Sequence, residues 1–202
     1  MTRPLVAWLY GDLVCPWSYL ALARLRRLEG RLPLALGWRP LRRSSAGSAS
    51  PGPEGASEPG GTERPGDFAS DLAALGLPYG PPAPVPDSGP ALRAVEFAAD
   101  LGPASRDRVL DGLFRAHFSG AVALDDRASL LGVCERLGLD PEGLAGALED
   151  GRYDAELEAA EAEADRYGIE AVPVVLFGRL KIVGAAPLEL MAAVAERAIA
   201  EG

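Results

Sequence analysis

The sequence predicts an α/β fold in which a small sheet, built from sequence-distant segments, carries an all-helical insertion. Three observations predict it. An apolar run from Pro4 to Tyr10 passes through Gly11 and Asp12 into a segment of helical spacing, and an alternating run then follows, giving the order β-α-β. From Asp67 to Tyr167 the apolar residues recur at helical spacing only. Beyond that, Val172 to Phe177 and Leu180 to Val183 read as two strands around Gly178-Arg179, ahead of a last helical segment.

Each element has a local reason. Pro4 to Tyr10 is apolar throughout and ends at Gly11, which suits a strand buried on both faces. Pro16 to Glu29 reads as a helix: Pro16 fits the first helical position, Leu20, Ala21, Leu25 and Leu28 form an apolar face, and Gly30 stops it. Leu32 to Leu41 alternates as a strand, kept short by Pro33 and Pro40. A β-α-β unit of this kind makes parallel strands with a right-handed crossover.

Ser44 to Gly66 is dominated by Ser, Gly, Pro, Ala and Glu, and burial cannot offset the entropy of ordering it. A mobile loop is expected there, either a disordered insertion or a flap near the site. Helices are expected over 67–75, 88–101, 106–118, 126–137, 141–149 and 153–167, with Ser105, Asp125 and Asp140 as N-caps and Gly102, Gly120 and Gly138 at helix ends. Residues 1–43 and 168–202 thus form the sheet domain, 44–66 the loop and 67–167 the helical insertion. The acids Asp154, Glu156, Glu158, Glu161, Glu163 and Asp165 read as a solvated helix face, with a metal site as the weaker alternative. Gly178 placed first in its two-residue turn suits a type II′ hairpin, and Pro187 to Glu201 forms the closing helix.

A chain of 202 residues, 48% of them hydrophobic, can bury one sizeable core. The formal charge of −9 argues against a phosphate-tracking surface, so nucleic acid is not an expected partner. Residues 4–23 lack Lys and Arg, yet Gly11, Asp12 and Pro16 interrupt the run, which therefore reads as neither a membrane span nor a secretion leader. No membrane partner is expected, and the expected location is the cytoplasm. Two cysteines make no disulfide framework, and a cytosolic setting keeps them reduced unless one is catalytic.

The chemistry-bearing stretch runs from Tyr10 to Leu20, where a strand enters a cysteine that opens a helix. Unpaired N–H groups and the positive helix end favour a thiolate there, which is the nucleophilic form. Ser18 stands three residues after Cys15, so no disulfide closes within this motif; instead Ser18 can donate to the thiolate and hold its pKa down. Asp12 either accepts backbone N–H groups at the helix entry or acts as a buried acid beside the sulfur. Trp17 reads as a cleft wall at an exposed helix start. Cys134 reads as core packing, the alternative being a resolving partner for Cys15. The arginines from Arg24 to Arg43 read as charges at a helix C-terminus and on a solvated face, or else as a site for an acidic substrate.

The order of elements, Cys15-Pro16-Trp17-Ser18 at the first strand-helix junction, and Val172-Pro173 opening the third strand together resemble the thioredoxin superfamily. More narrowly, the chain is similar to the DsbA family, with its FrnE-like oxidoreductases and the related 2-hydroxychromene-2-carboxylate isomerases and kappa-class glutathione transferases. The matching pieces are Asp12 to Leu20, Leu113 to Phe118 and Gly168 to Pro187. The resemblance implies a thioredoxin-like fold, a cis peptide before Pro173 beside the active sulfur, and a Val172 backbone free to pair with an extended peptide or glutathione. It also places the only histidine, His117, in a helix over the cleft, where an acid-base role competes with a structural one.

Ser18 departs from the pattern, since DsbA and FrnE-like proteins carry a second cysteine there, while the isomerases and transferases begin the motif with serine and use the sulfur of glutathione. The expected function is thiol-disulfide exchange through a single catalytic sulfur, Cys15, assisted by Ser18. Pro16, Trp17, Val172, Pro173, Asp12 and His117 are the expected substrate-binding residues. The alternatives are a glutathione-dependent isomerase or kappa-type transferase, and a peptide-binding module without chemistry. Expected partners are disulfide or thiol substrates, with glutathione as a co-substrate; no tightly bound cofactor and no metal are expected.

Overall fold

The structure, a computed structural model, describes residues 3–42, 65–80 and 85–201. Its elements run β1 (Leu5–Gly11), α1 (Pro16–Glu29), β2 (Leu34–Pro40), α2 (Pro65–Ala74), α3 (Gly89–Asp100), α4 (Pro103–Phe118), α5 (Arg127–Arg136), α6 (Pro141–Glu149), α7 (Asp154–Arg166), β3 (Val174–Phe177), β4 (Leu180–Val183) and α8 (Leu188–Glu201). The mobile loop expected over 44–66 lies outside the described residues, except that its last two positions open α2.

The strands form one sheet in the order β2-β1-β3-β4. The β1 and β2 strands pair in parallel, as a β-α-β crossover dictates, while β3 pairs antiparallel with both β1 and β4. The hairpin closes through Gly178 and Arg179, with Phe177 opposite Leu180. Gly178 has a φ of +59° and, among the described residues, no non-glycine residue has a positive φ, which is the type II′ pattern rather than I′.

The period-two geometry of β1 divides the core. Ala7 and Leu9 face the large cluster shared with α1, α8 and the inserted helices, whereas Trp8 and Tyr10 face a smaller cluster with Ala164 of α7, Ile169 and Val174. Opposite Trp8 in β2 stands Gly37, and the indole lies over it: a Cβ on Gly37 would come within 2.3 Å of the Trp8 ring.

The acidic face of α7 is solvated in part, as expected: Asp154, Glu156, Glu158 and Asp165 are exposed, while Glu161 and Glu163 are half-buried and ion-paired. Glu163 takes a hydrogen bond from the Tyr10 hydroxyl at 2.6 Å and pairs with Arg39 at 3.1 Å. The Arg39 guanidinium also lies 3.8 Å over the Trp8 ring. Glu161 pairs with Arg42 at 3.2 Å and Asp154 with Arg93 at 2.9 Å. These acids therefore bind the helix to β2, the segment after it, and α3. Among the described residues no three His, Cys, Asp or Glu side chains gather to hold a metal ion.

Two caps also differ from expectation. Asp126, not Asp125, accepts the N–H of Ser129 at 2.9 Å, and α4 begins at Pro103 after Gly102, leaving Ser105 inside the helix. Asp140 caps α6 as expected, accepting from Gly143 at 2.9 Å. Among the described residues no helix is long and apolar enough to cross a membrane.

Candidate active site around Cys15

The chain leaves β1 at Gly11 and turns sharply into α1. Val14 donates its N–H to Asp12 Oδ1 at 3.4 Å and Cys15 donates to the Asp12 carbonyl at 3.0 Å. Asp12 is thus the residue that shapes the helix entry, and it is fully buried. Its own N–H donates to Ser18 Oγ at 3.3 Å, so the Ser18 hydroxyl oxygen is tied back to the turn. Gly11 permits this approach, because a Cβ there would lie 2.8 Å from the Trp38 ring and 3.2 Å from Ser18 Oγ.

Cys15 is the N-cap of α1, with extended backbone angles (φ −89°, ψ 115°) and Pro16 directly after it. Its carbonyl accepts the Tyr19 N–H at 3.2 Å. The sulfur lies 3.7 Å from the Val172 carbonyl oxygen, to which the thiol donates. The Val172–Pro173 peptide is cis, and the Pro173 carbonyl is held by the Gly184 N–H at 2.8 Å. Segments that are 157 residues apart thereby meet at one sulfur.

Arg24 fixes this arrangement from behind. It is 5% exposed, donates to the carbonyls of Ala185 and Ala186, and pairs with Asp71 of α2 at 2.5 Å. The expectation that the arginines from Arg24 onward are helix-end or solvated charges, or bind an acidic substrate, is corrected at Arg24, Arg26 and Arg39. Arg26 joins Glu29, Asp107 and Asp111, and Arg39 joins Glu163.

Electrostatics at the sulfur run against the sequence expectation of a low pKa. Cys15 is 2% exposed, and burial pushes its thiol up to about 11. Hydrogen bonds from the Ser18 hydroxyl and from the backbone N–H groups of Ser18 and Trp17 pull it down, while the Asp12 carboxylate pushes it up. Desolvation wins because the helix start that should stabilise the thiolate is itself closed off from solvent. Trp17 is likewise corrected: at 6% exposed it packs into the main core rather than walling an open cleft. Pro16 and Ser18 are buried beside it.

His117 lies in the last turn of α4. Its ring meets Phe118 edge-on at 4.7 Å, and burial holds its pKa below the usual imidazole value, with the Val122 backbone and Asp125 opposing the shift. Its neighbours belong to the turn after α4 rather than to the Cys15 loop, and Phe118 stands between it and Tyr19. Cys134 is fully buried in the core of α5, with its thiol pushed up to about 12 by burial alone, and both cysteines are free.

Tyr19 flanks the sulfur in the sequence, but the sequence reading gave it no role. Its ring lies near-parallel to Phe114 and Phe118, with centroids 5.5 and 5.1 Å away, and those two rings stand 6.3 Å from each other. The signal available was the spacing Cys15, Tyr19, Leu22, Arg26, which places all four on one stripe of α1.

A family model described as a DSBA-like thioredoxin domain matches residues 8–195. No curated protein matches the chain. Among solved structures, a probable DsbA oxidoreductase from Streptomyces coelicolor is 22% identical with a TM-score of 0.77, over 98% of this chain and 91% of that one. A 2-hydroxychromene-2-carboxylate isomerase is 18% identical with a TM-score of 0.78, over 98% and 97%. The cytosolic disulfide reductase DsbM from Pseudomonas aeruginosa, solved with glutathione, is 17% identical with a TM-score of 0.63, over 97% and 96%. At these identities the structural likeness concerns the fold.

Proposed function

We propose, for a chain that belongs to the DSBA-like thioredoxin domain family, that it exchanges thiols and disulfides through the single sulfur of Cys15. The observation that carries this reading is the position of Cys15 Sγ: at the first turn of α1, 3.7 Å from the Val172 carbonyl. A disulfide segment lying along Val172 would bring a sulfur to that point, as extended chains do when they add to exposed backbone.

The Cys15 thiolate attacks one sulfur of the substrate disulfide, forming a mixed disulfide and releasing the other half as thiolate. With serine at position 18 no internal thiol resolves the intermediate. An external thiol, with glutathione as the small-molecule candidate, attacks the mixed disulfide, regenerates the Cys15 thiolate and leaves as a new disulfide. No net electrons stay on the protein. Ser18 and the N–H groups of the first turn stabilise the thiolate once the proton that Cys15 shares with Val172 has left.

The buried, protonated state of Cys15 supports a second reading, a glutathione-dependent isomerase or transferase in which glutathione supplies the reacting sulfur. One experiment separates the two. The protein is incubated with oxidised glutathione, and its intact mass is followed for wild type, Cys15→Ser and Cys134→Ser. Thiol-disulfide exchange requires one glutathionyl unit on wild type and on Cys134→Ser and none on Cys15→Ser. If Cys15→Ser still turns over a disulfide substrate, exchange through Cys15 is wrong; if it still binds reduced glutathione in calorimetry, the second reading is favoured.

A further inference from the structure

Beyond the sulfur, along the same stripe of α1, lies a cavity of about 360 Å³ between α1, the end of α2 and α4. Its volume falls in the range of small-molecule sites, from roughly 300 Å³ upward. Leu22, Leu75 and Leu77 supply apolar walls, while Tyr19, Arg26, Arg27, Asp111 and Arg115 bring polar groups to it.

Two of those groups are unusual. Tyr19 is 2% exposed, and its hydroxyl has no hydrogen-bond partner among the described residues. Buried tyrosine hydroxyls are normally paired, since leaving one unmade costs about 1–3 kcal/mol. The ring is held in a cluster of near-parallel rings, with Phe114 and Phe118 at 5.5 and 5.1 Å from it and 6.3 Å from each other. Arg26 is the second. Its Nη1 pairs with Glu29 at 2.9 Å and Asp107 at 3.1 Å and its Nε with Asp111 at 3.2 Å, but its buried Nη2 has no partner among the described residues.

The charges around the cavity are unevenly used. Glu29, Asp107 and Asp111 already neutralise Arg26, and Arg27 reaches the Ala74 carbonyl at 3.3 Å. Arg115 forms no salt bridge among the described residues. Arg115 and Asp111 both act on the Tyr19 hydroxyl, Arg115 favouring and Asp111 opposing its ionisation. Three guanidiniums thus stand among three carboxylates, all three of which are taken by Arg26, which leaves the Arg115 guanidinium beside two orphaned donors and apolar walls.

We infer that this cavity binds a small monocarboxylate with a short hydrocarbon body, whose carboxylate pairs with Arg115 and accepts from the Tyr19 hydroxyl and Arg26 Nη2. A guanidinium fork and a fixed phenol match the two oxygens of a carboxylate. The carboxylates already on Arg26 disfavour a dianion such as phosphate. The leucine walls take the hydrocarbon. The site does not depend on the chemistry of Cys15, so binding is tested in Cys15→Ser protein as well as in wild type.

Hexanoate and phenylacetate are titrated into the full chain by isothermal calorimetry, with hexanol and inorganic phosphate as the comparison probes. Tyr19→Phe keeps the ring stack, and Arg115→Gln alters an exposed side chain, so both variants should fold; thermal melts confirm that they do. The expected result is saturable binding of at least one carboxylate to wild type and Cys15→Ser alike. Arg115→Gln should weaken it by about tenfold or more and Tyr19→Phe by roughly five- to tenfold, as expected for charge-assisted hydrogen bonds. The inference is overturned if neither carboxylate saturates, if Arg115→Gln binds as wild type does, or if hexanol or phosphate binds as tightly as hexanoate.

Discussion

Replacing Ser18 by Ala should make the Cys15 thiol harder to ionise and slower to react. In the wild type, burial pushes Cys15 up to about 11 while the Ser18 hydroxyl pulls it down. Roughly one Cys15 in a thousand is then a thiolate at pH 8, since each pH unit below the midpoint costs a factor of about ten. A hydrogen bond to a charged group contributes about 1.5–3 kcal/mol, so its loss raises the midpoint by about one to two pH units. Thiol nucleophilicity rises by roughly threefold per unit of basicity, which offsets part of that loss. The net expectation is a roughly three- to tenfold slower alkylation at fixed pH.

The assay is iodoacetamide modification followed by intact mass from pH 6 to pH 10, with Cys134 as the internal comparison. Cys134 is fully buried and pushed up to about 12, so it should lag throughout. Ser18→Ala also leaves the buried Asp12 N–H without its acceptor, which should cost about 1–3 kcal/mol, so the rates are taken well below the melting temperature. In wild type the rate should still be climbing at pH 10. A rate that levels off below the free-cysteine value of about 8.5 would refute the dominance of burial, and an unchanged rate in Ser18→Ala would refute the role of its hydroxyl.

Three further outcomes are expected. Gly37→Ala puts a Cβ 2.3 Å from the Trp8 ring, and the overpacking should lower stability by about 1–3 kcal/mol in urea unfolding; an unchanged midpoint would mean that the ring yields freely. Arg24→Met removes the charged donor to the Ala185 and Ala186 carbonyls, which should cost about 2–4 kcal/mol because buried hydrogen bonds to a charged group are lost; retention of wild-type stability would show that these bonds contribute little. His117 has its pKa depressed by burial, so its contribution is fully present above the unfolded imidazole value of about 6.5 and is lost as pH falls through the lower folded value. The drop in melting temperature from pH 7 to pH 5 should therefore be smaller in His117→Asn, and an equal drop in both proteins would contradict it.

What could be read from the sequence was what local chemistry decides. Pro16 and Gly30 bracket α1, and β4 spans Leu180–Val183, the same residues that the alternation indicated. The start of α4 was misplaced although Gly102-Pro103 carried the better signal, a proline at the first helical position. Asp125 and Asp126 could not be told apart, since only the turn ahead of them selects which one caps. The candidate site was half legible. Cys15 and Ser18 announce themselves through their place at a helix start, but how deeply the first turn is buried depends on residues far along the chain. Solvent exclusion inverts the thiol prediction, and the partners of Arg24, Arg39 and Tyr19 exist only through tertiary apposition.

The contact between Cys15 and Val172 spans 157 residues, and this distance along the chain orders events during synthesis. Translation delivers Cys15 first, while the segment ahead of β3 that meets its sulfur emerges only after the whole helical insertion has been made. Throughout that interval the thiol that the folded protein shields is open to oxidants and to other nascent thiols. Non-local contacts of this kind form late. Shielding the sulfur and assembling the site are therefore one event, and a ribosome-bound chain halted before Val172 should react with iodoacetamide as an ordinary exposed cysteine does.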